Sequence, residues 1–361
     1  MSKIDSININ SHFGNYTVKF IHDPFQRMLE LASDNHFFII DENVFRLYED
    51  KFYFIINNKQ SYLLINPTEI SKSLEKFPFY IEHCIRSNVK RETNIVAIGG
   101  GIVQDISAFL SSIIFRGLKW TFFPTTLLSQ ADSCIGSKTS INCMGIKNIV
   151  GNFYPPNCLY ISALFLDTLS DLDLRSGLGE IIKIHAIYGQ DEFKNLEVDF
   201  DSLFLSKELL LKYIQKSLIM KKKLIEIDEF DKDQRLVLNY GHSFGHAIES
   251  ATNYAVPHGI AVSMGCHFAN YISMKISLNN GFIYKNMQHI LRKNIPVIAN
   301  VCFNEEVFFD SLSKDKKNTK SSFIFILPGH DGIPVKTSVD NNSAFKNICR
   351  EFLYQELRLK A

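Results

Sequence analysis

The first half of the chain alternates short β-rich apolar runs with helical stretches, and this alternation limits the possible architectures more than any other feature. FFIID (37–41), YFIIN (53–57), YLLIN (62–66), NIVAIGG (94–100), WTFFPTT (120–126) and CLYISA (158–163) read as strands, several closed by Gly, Pro, Asp or Asn. Segments between them, such as SKSLEKFPFYIEHCIRSN, have helical spacing. Strand–helix alternation predicts a parallel α/β sheet that receives ligands at the C-terminal ends of its strands. Beyond it, long helical periodicities take over at 176–188, 205–226, 236–253, 258–276 and 284–293. SSFIFILPG (321–329) reads as a late strand, 343–358 as a closing helix, and the Gly-, Pro- and Asn-rich stretch 140–157 as a loop. The expected division is an α/β domain over 1–169 and a mainly helical domain over 170–361.

Composition narrows the partners. With 46% hydrophobic residues, 21% charged and a net charge of +1, the chain can build a large core and carries no electrostatic footprint for nucleic acid or a membrane surface. The opening MSKIDSININSHFGNYT lacks the features of a signal peptide, and glycines and Asp105 interrupt the most apolar stretch. Seven scattered cysteines with no C-x-x-C pair suit reduced thiols in a cytoplasmic protein.

Three glycines at 99–101 follow an apolar strand and open an apolar helix, where backbone and helix N-terminus can approach a phosphate. The run is not a G-x-G-x-x-G fingerprint, and alone it is as well read as a plain strand–helix turn. Other strand ends add to it. Asp41 and Asn43, Glu69 and Lys72, and Thr125 and Thr126 with Asp132 beyond offer carboxylates, amides and hydroxyls to a ligand on the sheet edge. The loop GSKTSINCMGIKN (136–148) carries Lys138, Lys147 and Asn148; lysine binds phosphate as a point charge, although such loops are usually just solvated.

The stretch LNYGHSFGHAIES puts His242 and His246 four residues apart, on one helix face, with His258 following in VPHGIAVSMG. Upstream, SGLGEIIKIHAIYG places Glu180 and Lys183 in an otherwise apolar helix, where both are costly unless a metal or substrate compensates them. Two imidazoles and a carboxylate suit catalytic zinc, but spacing does not choose which two of the three histidines bind. No H-E-x-x-H is present, which argues against a metalloprotease.

Taken in order, VAIGGGIVQD, FRG, FPTTLLSQADSCIGSKTSIN, GIKNIVGNFYPP, SGLGEIIK, LNYGHSFGHAIE and PHGIAVSMG resemble the sugar-phosphate cyclases typified by 3-dehydroquinate synthase, over about residues 35–330. The resemblance implies an NAD-binding α/β half and a zinc- or cobalt-binding helical half. It assigns the metal to Glu180, His242 and His258. It assigns NAD to Asp41, Asn43, Glu69, Lys72, Gly100, Gly101, Ile102, Asp105, Thr125, Thr126, Leu128 and Thr168, with Asp132, Lys138 and Lys147 beside them. Phosphate falls to Lys138, Asn148, His246 and Lys316 or Lys317, with Arg116 supplied by the other copy of a homodimer. Lys221 and Arg235 match a carboxylate-binding pair, Asn239 a hydroxyl contact, and Lys183 joins the catalytic set. The implied reaction is transient oxidation by NAD, phosphate elimination, re-reduction and intramolecular aldol closure on a sugar phosphate. The expected substrate is 3-deoxy-D-arabino-heptulosonate 7-phosphate.

The chain departs from the family pattern at Gln104, Ser137 and Ser140, each in place of glycine, at Gly179 in place of alanine, and at Ile260 in place of glutamate. Three rival readings remain. A cyclase acting on sedoheptulose 7-phosphate or glucose 6-phosphate would leave Lys221 and Arg235 without a carboxylate. A glycerol dehydrogenase-like enzyme would have no use for the lysine loop. A non-enzymatic relative would have no reason to keep the metal set.

Overall fold

The computed structural model describes residues 5–32, 35–57, 61–298, 301–314 and 321–359. Two compact units divide the chain, Met1–Leu169 and Ser170–Ala361.

The first unit is built on a seven-stranded sheet in the order β1-β2-β9-β6-β5-β3-β4. The strands are β1 (Ser6–Ile9), β2 (Tyr16–Phe20), β3 (His36–Asp41), β4 (Tyr62–Ile65), β5 (Asn94–Gly99), β6 (Trp120–Pro124) and β9 (Cys158–Ile161). Only β1 and β2 pair antiparallel; every other pairing is parallel. Helices α1 (Pro24–Leu31), α2 (Glu42–Leu47), α3 (Tyr53–Asn57), α4 (Phe77–Arg86) and α5 (Gly101–Ile113) accompany it. The β3, β5 and β6 segments read as unbroken apolar runs because both faces of these strands are covered, as in parallel sheets generally.

Two readings change in this unit. YFIIN is helix α3, not a strand: Phe54 and Ile55 enter the core while Tyr53 and Ile56 face out. So short an apolar run carries no decisive period, and the turn of 3-10 helix at Glu49–Phe52 continues into it. The stretch expected as a loop at 140–157 contains a hairpin, β7 (Ile141–Cys143) and β8 (Ile146–Val150). Its tip holds both Met144 and Gly145 at positive φ, the geometry of a primed turn, without the Asn-Gly signal that would mark one in sequence.

The second unit contains α6 (Asp171–Ile187), α7 (Gln190–Asp199), α8 (Lys207–Ile227), α9 (His242–Ala251), α10 (His258–Lys275), α11 (Phe282–Asn294), α12 (Glu305–Lys314) and α13 (Ser343–Glu351). A hairpin of β10 (Ser322–Pro328) and β11 (Pro334–Asp340) joins them. A capping box between Ser170 and Asp173 starts α6, and Ser206 caps α8. The segment 236–253 is not one helix. A 3-10 turn ends at Asn239, Gly241 takes φ +78, and α9 begins at His242.

Helix α10 is buried on nearly every side, as its all-round apolar sequence requires. Glycine lets its neighbours come close. A Cβ on Gly259 would lie 1.7 Å from the Ser176 carbonyl, and one on Gly265 2.0 Å from that of Gly241. These contacts draw α6 and α9 against α10.

Two buried imidazoles make this unit acid-sensitive. His185 and His267 are both 0% exposed. Burial pulls His185 down to about 4; burial, then the Arg292 charge, pulls His267 to about 3. Their ordinary value is 6.5. Below pH 6.5 the unfolded chain therefore binds two protons that the folded chain refuses, so stability is full above that pH and falls as acid is added. The loss should approach roughly 2–4 kcal/mol per ring by pH 4. Urea melts between pH 7 and 5 should show the slope, and a His185→Gln/His267→Gln double variant should flatten it. An equal slope in both proteins would refute the assignment.

Candidate active site

In the second unit, three helices deliver a donor cluster. Glu180 lies in the middle of α6, and His242 and His258 are the first residues of α9 and α10. Glu180 Oε1 is 3.2 Å from His258 Nε2 and 3.7 Å from His242 Nε2. Donors bound at about 2.0–2.1 Å around one tetrahedral zinc stand roughly 3.4 Å apart, so these separations fit a single divalent ion. Glu180 is 1% exposed, with Lys183 Nζ 2.5 Å from its Oε2 and both imidazoles facing its Oε1. A buried carboxylate facing two imidazoles suits a divalent cation.

His246, one turn along α9, belongs to the same cluster: one nitrogen from each of the three imidazoles lies within 4.8 Å of the others. The structure thus brings all three histidines together, and the approach of Glu180 to two of them distinguishes the pair. Burial pushes the Glu180 carboxyl up, but Lys183, His242 and His258 outweigh it and hold the group well below its ordinary value. Burial, then Lys183, holds His242 well below 6.5, the neutral form a metal donor needs. His258 is pushed up to about 10: burial lowers it, and hydrogen bonds to Glu180 and Glu249 more than reverse that.

Glu249 is the site residue that motif reading missed. Its Oε2 lies 3.1 Å from His258 Nδ1, two turns along α9 from His242. The signal was present in GHSFGHAIE as an acid seven residues after the first histidine, on the same helix face. Ile260 is fully buried, so the acid beside His258 is supplied by α9 rather than α10. Gly179 also has a local reason: a Cβ there would meet the Gly259 carbonyl at 1.9 Å. Glu249→Gln should weaken metal binding about 10–100-fold by loosening His258. Zinc titration against a chelator measures this, and an unchanged affinity would show that Glu249 does not orient the donor.

Also in this unit, Lys221 on α8 and Arg235 in the 3-10 turn Gln234–Asn239 are both buried. Arg235 Nη1 donates to the Glu229 carbonyl at 2.5 Å, and its backbone N–H donates to Asp228. Asn239 ends that turn, three residues before His242. Lys316 and Lys317 lie outside the described residues.

In the first unit, the strand ends carry a polar cradle. Gly100 is the N-cap of α5 and Gly101 its first residue, and no side chain caps that N-terminus. A Cβ on Gly100 would press on the Thr126 methyl at 2.9 Å, whereas one on Gly101 would meet nothing within 4 Å. Open space beside Gly101 at the uncapped N-terminus of α5, where the first N–H groups of the helix have no intrahelical partner, suits a pyrophosphate.

The acids near it hold the chain's own groups. Asp41 caps α2, accepting from the N–H groups of Asn43 and Val44. Asp105 Oδ2 is 2.6 Å from Lys72 Nζ, and burial raises its carboxyl to about 6 against that pull. Lys72 also donates to Asn148 at 2.9 Å, while Glu69 accepts from Asn142 at 2.8 Å and faces Lys147 at 3.7 Å. This network latches the β7–β8 hairpin to the loop after β4.

Thr125 is buried with its N–H on the Gly99 carbonyl, and Thr126 bonds Ser129. Leu128 and Asp132 flank and occupy a π-helical turn, Ser129–Ser133. Gln104, in place of the family's glycine, clamps that turn: its Nε2 donates to the Ser133 carbonyl at 2.6 Å and its Oε1 accepts from Ser133 Oγ at 2.7 Å. Ser137 keeps the positive φ, +65, that a glycine would hold without strain, and the Ser140 N–H donates to Asp105. Lys138 and Arg116 are exposed, Arg116 at φ +67, and Thr168 meets the Tyr48 hydroxyl at 3.3 Å.

Comparison with known proteins agrees over both units. Residues 62–176 match the family described as 3-dehydroquinate synthase N-terminal, and 177–318 the one described as 3-dehydroquinate synthase C-terminal. A 3-dehydroquinate synthase of Thermoanaerobacter sp. (strain X514) is 34% identical over 340 residues, covering 90% of this chain and 94% of that protein. One from Streptococcus equi subsp. equi (strain 4047) is 32% identical, covering 91% and 92%.

Among solved structures, 2-deoxy-scyllo-inosose synthase complexed with carbaglucose-6-phosphate, NAD+ and Co2+ shares the fold. Its TM-score is 0.81 at 21% identity, covering 97% of this chain and 99% of that one. So does 2-epi-5-epi-valiolone synthase from Streptomyces hygroscopicus subsp. jinggangensis 5008 with NAD+ and Zn2+ bound, at TM-score 0.80 and 23% identity, covering 95% and 97%.

Proposed function

This chain belongs to the 3-dehydroquinate synthase family, and from that premise we propose that it converts 3-deoxy-D-arabino-heptulosonate 7-phosphate to a carbocycle with loss of phosphate. The observation that carries the reading is the buried Glu180 carboxylate, aimed at His242 and His258 with Lys183 against its other oxygen. A phosphorylated sugar acid offers adjacent hydroxyls that such a centre can hold.

Glu180, His242 and His258 would bind one divalent metal, and the Gly100–Gly101 turn with the N-terminus of α5 would bind NAD. Once bound, the two supply oxygen polarisation and a hydride acceptor that is restored within the turnover. The chain's own residues do the rest. Lys183 keeps Glu180 ionised. His246 stands beside the donors as a proton or phosphate partner. Lys138 and Lys147 offer a phosphate positive charge and Asn148 an amide donor, and Lys221 with Arg235 receives the carboxylate. In the same reading the protein is a homodimer, with Arg116 of one copy serving the phosphate of the other.

Phosphate release from the heptulosonate should require NAD and a divalent metal without net accumulation of NADH. NADH formed in proportion to product would instead mark a dehydrogenase. Turnover of sedoheptulose 7-phosphate with the heptulosonate ignored would mark a cyclase of different specificity.

A further inference from the structure

Away from the donor cluster, the second unit holds a cavity of about 250 Å3 that no step above uses. Its floor is apolar and buried, formed by Phe193 of α7, Tyr240, and Ile283 and Met287 of α11. Its rim is polar: Gln190, Lys194, Asn286 and Asp331 are exposed at the mouth, and Glu197 is partly buried beside them. No residue assigned to metal, NAD, phosphate or substrate carboxylate lines it.

We propose that this cavity is a binding site for a small, flat aromatic molecule carrying a cationic or amide donor group. Size sets the scale, because an apolar cavity of about 150 Å3 already holds a benzene ring. The volume left over fits a short polar substituent. Two aromatic rings and a thioether on the floor reward a π-face or ring edge over an aliphatic chain. Charge selects the substituent. Asp331 and Glu197 place two carboxylates at the mouth against the single ammonium of Lys194, so the local field favours a donor. Glu197 has His289 at 3.5 Å, which leaves acceptor capacity on its second oxygen.

Tyr240 connects this site to the metal donors. Its ring lines the cavity, its hydroxyl donates to Asn270 Oδ1 at 2.5 Å, and its carbonyl faces His242 Nδ1 at 3.4 Å. An occupant pressing on the ring acts on the carbonyl that orients His242. This coupling rests on the metal reading above, and by linkage it runs both ways.

Calorimetry on the purified chain tests the site with benzamidine as the probe and benzoate as its opposite-charge counterpart. Benzamidine should bind saturably at one site per chain, and benzoate about tenfold or more weakly. Ile283→Trp, which fills the floor, and Asn286→Trp, which crowds the exposed rim, should each weaken benzamidine by about tenfold or more. Saturating benzamidine should shift zinc affinity, read by chelator competition, about two- to fivefold.

Absence of saturable binding, or binding untouched by both variants, overturns the site. Benzoate binding as tightly as benzamidine overturns the charge assignment, and an unchanged zinc affinity overturns the coupling. These measurements read heat and metal rather than turnover, so failure of the cavity leaves the cyclase reading standing, and failure of the cyclase assay leaves the cavity.

Discussion

A His242→Ala variant of this chain is expected to lose its metal and nearly all turnover while keeping its fold. His242 is the first residue of α9, so its truncation leaves the backbone hydrogen bonds of the helix in place and gives up the contact of Nδ1 with the Tyr240 carbonyl. What it removes is one of the two imidazoles facing Glu180 Oε1, at 3.7 Å. Of the assigned donors only Glu180 and His258 would remain, too few to hold an ion against solvent. Polarisation of a substrate oxygen is worth several kcal/mol, which at about 1.4 kcal/mol per tenfold corresponds to about 10³-fold in rate. Metal content by elemental analysis and phosphate release from the heptulosonate measure the two effects separately. Full metal occupancy in the variant would remove His242 from the donor set and leave His246 as the second imidazole.

Arg235→Leu is the second large effect, and it reports on substrate rather than on metal. The guanidinium is buried and anchored at one nitrogen by the Glu229 carbonyl, so its fork is held in one orientation. In the proposed function the guanidinium meets the substrate carboxylate by charge-assisted hydrogen bonding, and losing it should cost about 2–5 kcal/mol. The expected result is a fall of about 10²–10³-fold in kcat/KM on the heptulosonate, with zinc and NAD affinities unchanged. Leucine approximates the buried volume of the side chain, and a thermal melt checks that the variant folds. Activity that survives the substitution would refute the carboxylate assignment and favour a carboxylate-free sugar phosphate.

The legible features of the sequence were those with a strong local period or an unusual chemical grouping. The runs at β3, β5 and β6 announced themselves because both faces of a parallel sheet demand apolar residues. The GHSFGH spacing placed two imidazoles on one helix face for the same geometric reason. YFIIN misled because four apolar residues bounded by a 3-10 turn fit either state, and only the burial of Phe54 and Ile55 with exposure of Tyr53 and Ile56 decides. The β7–β8 hairpin was hidden because its partners are long-range: Lys72 binds Asn148, and Glu69 binds Asn142, across more than seventy residues of chain.

By itself, the sequence determined the strand–helix alternation around β3, β4, β5, β6 and β9, the presence of a glycine turn and a histidine cluster, and the family. Each of these is written in residues near one another along the chain. Tertiary structure alone decided how closely His242 and His258 approach Glu180, that Glu249 stands behind His258, and that Gln104 takes up a glycine's place by clamping Ser133. It also decided that Gly259 and Gly265 must stay glycine, because the obstructing atoms are carbonyls of Ser176 and Gly241. The physical reason is common to all of them. A donor separation or a Cβ clash is set by how closely two helices approach, and that distance depends on side chains far apart in sequence whose fit no local period records.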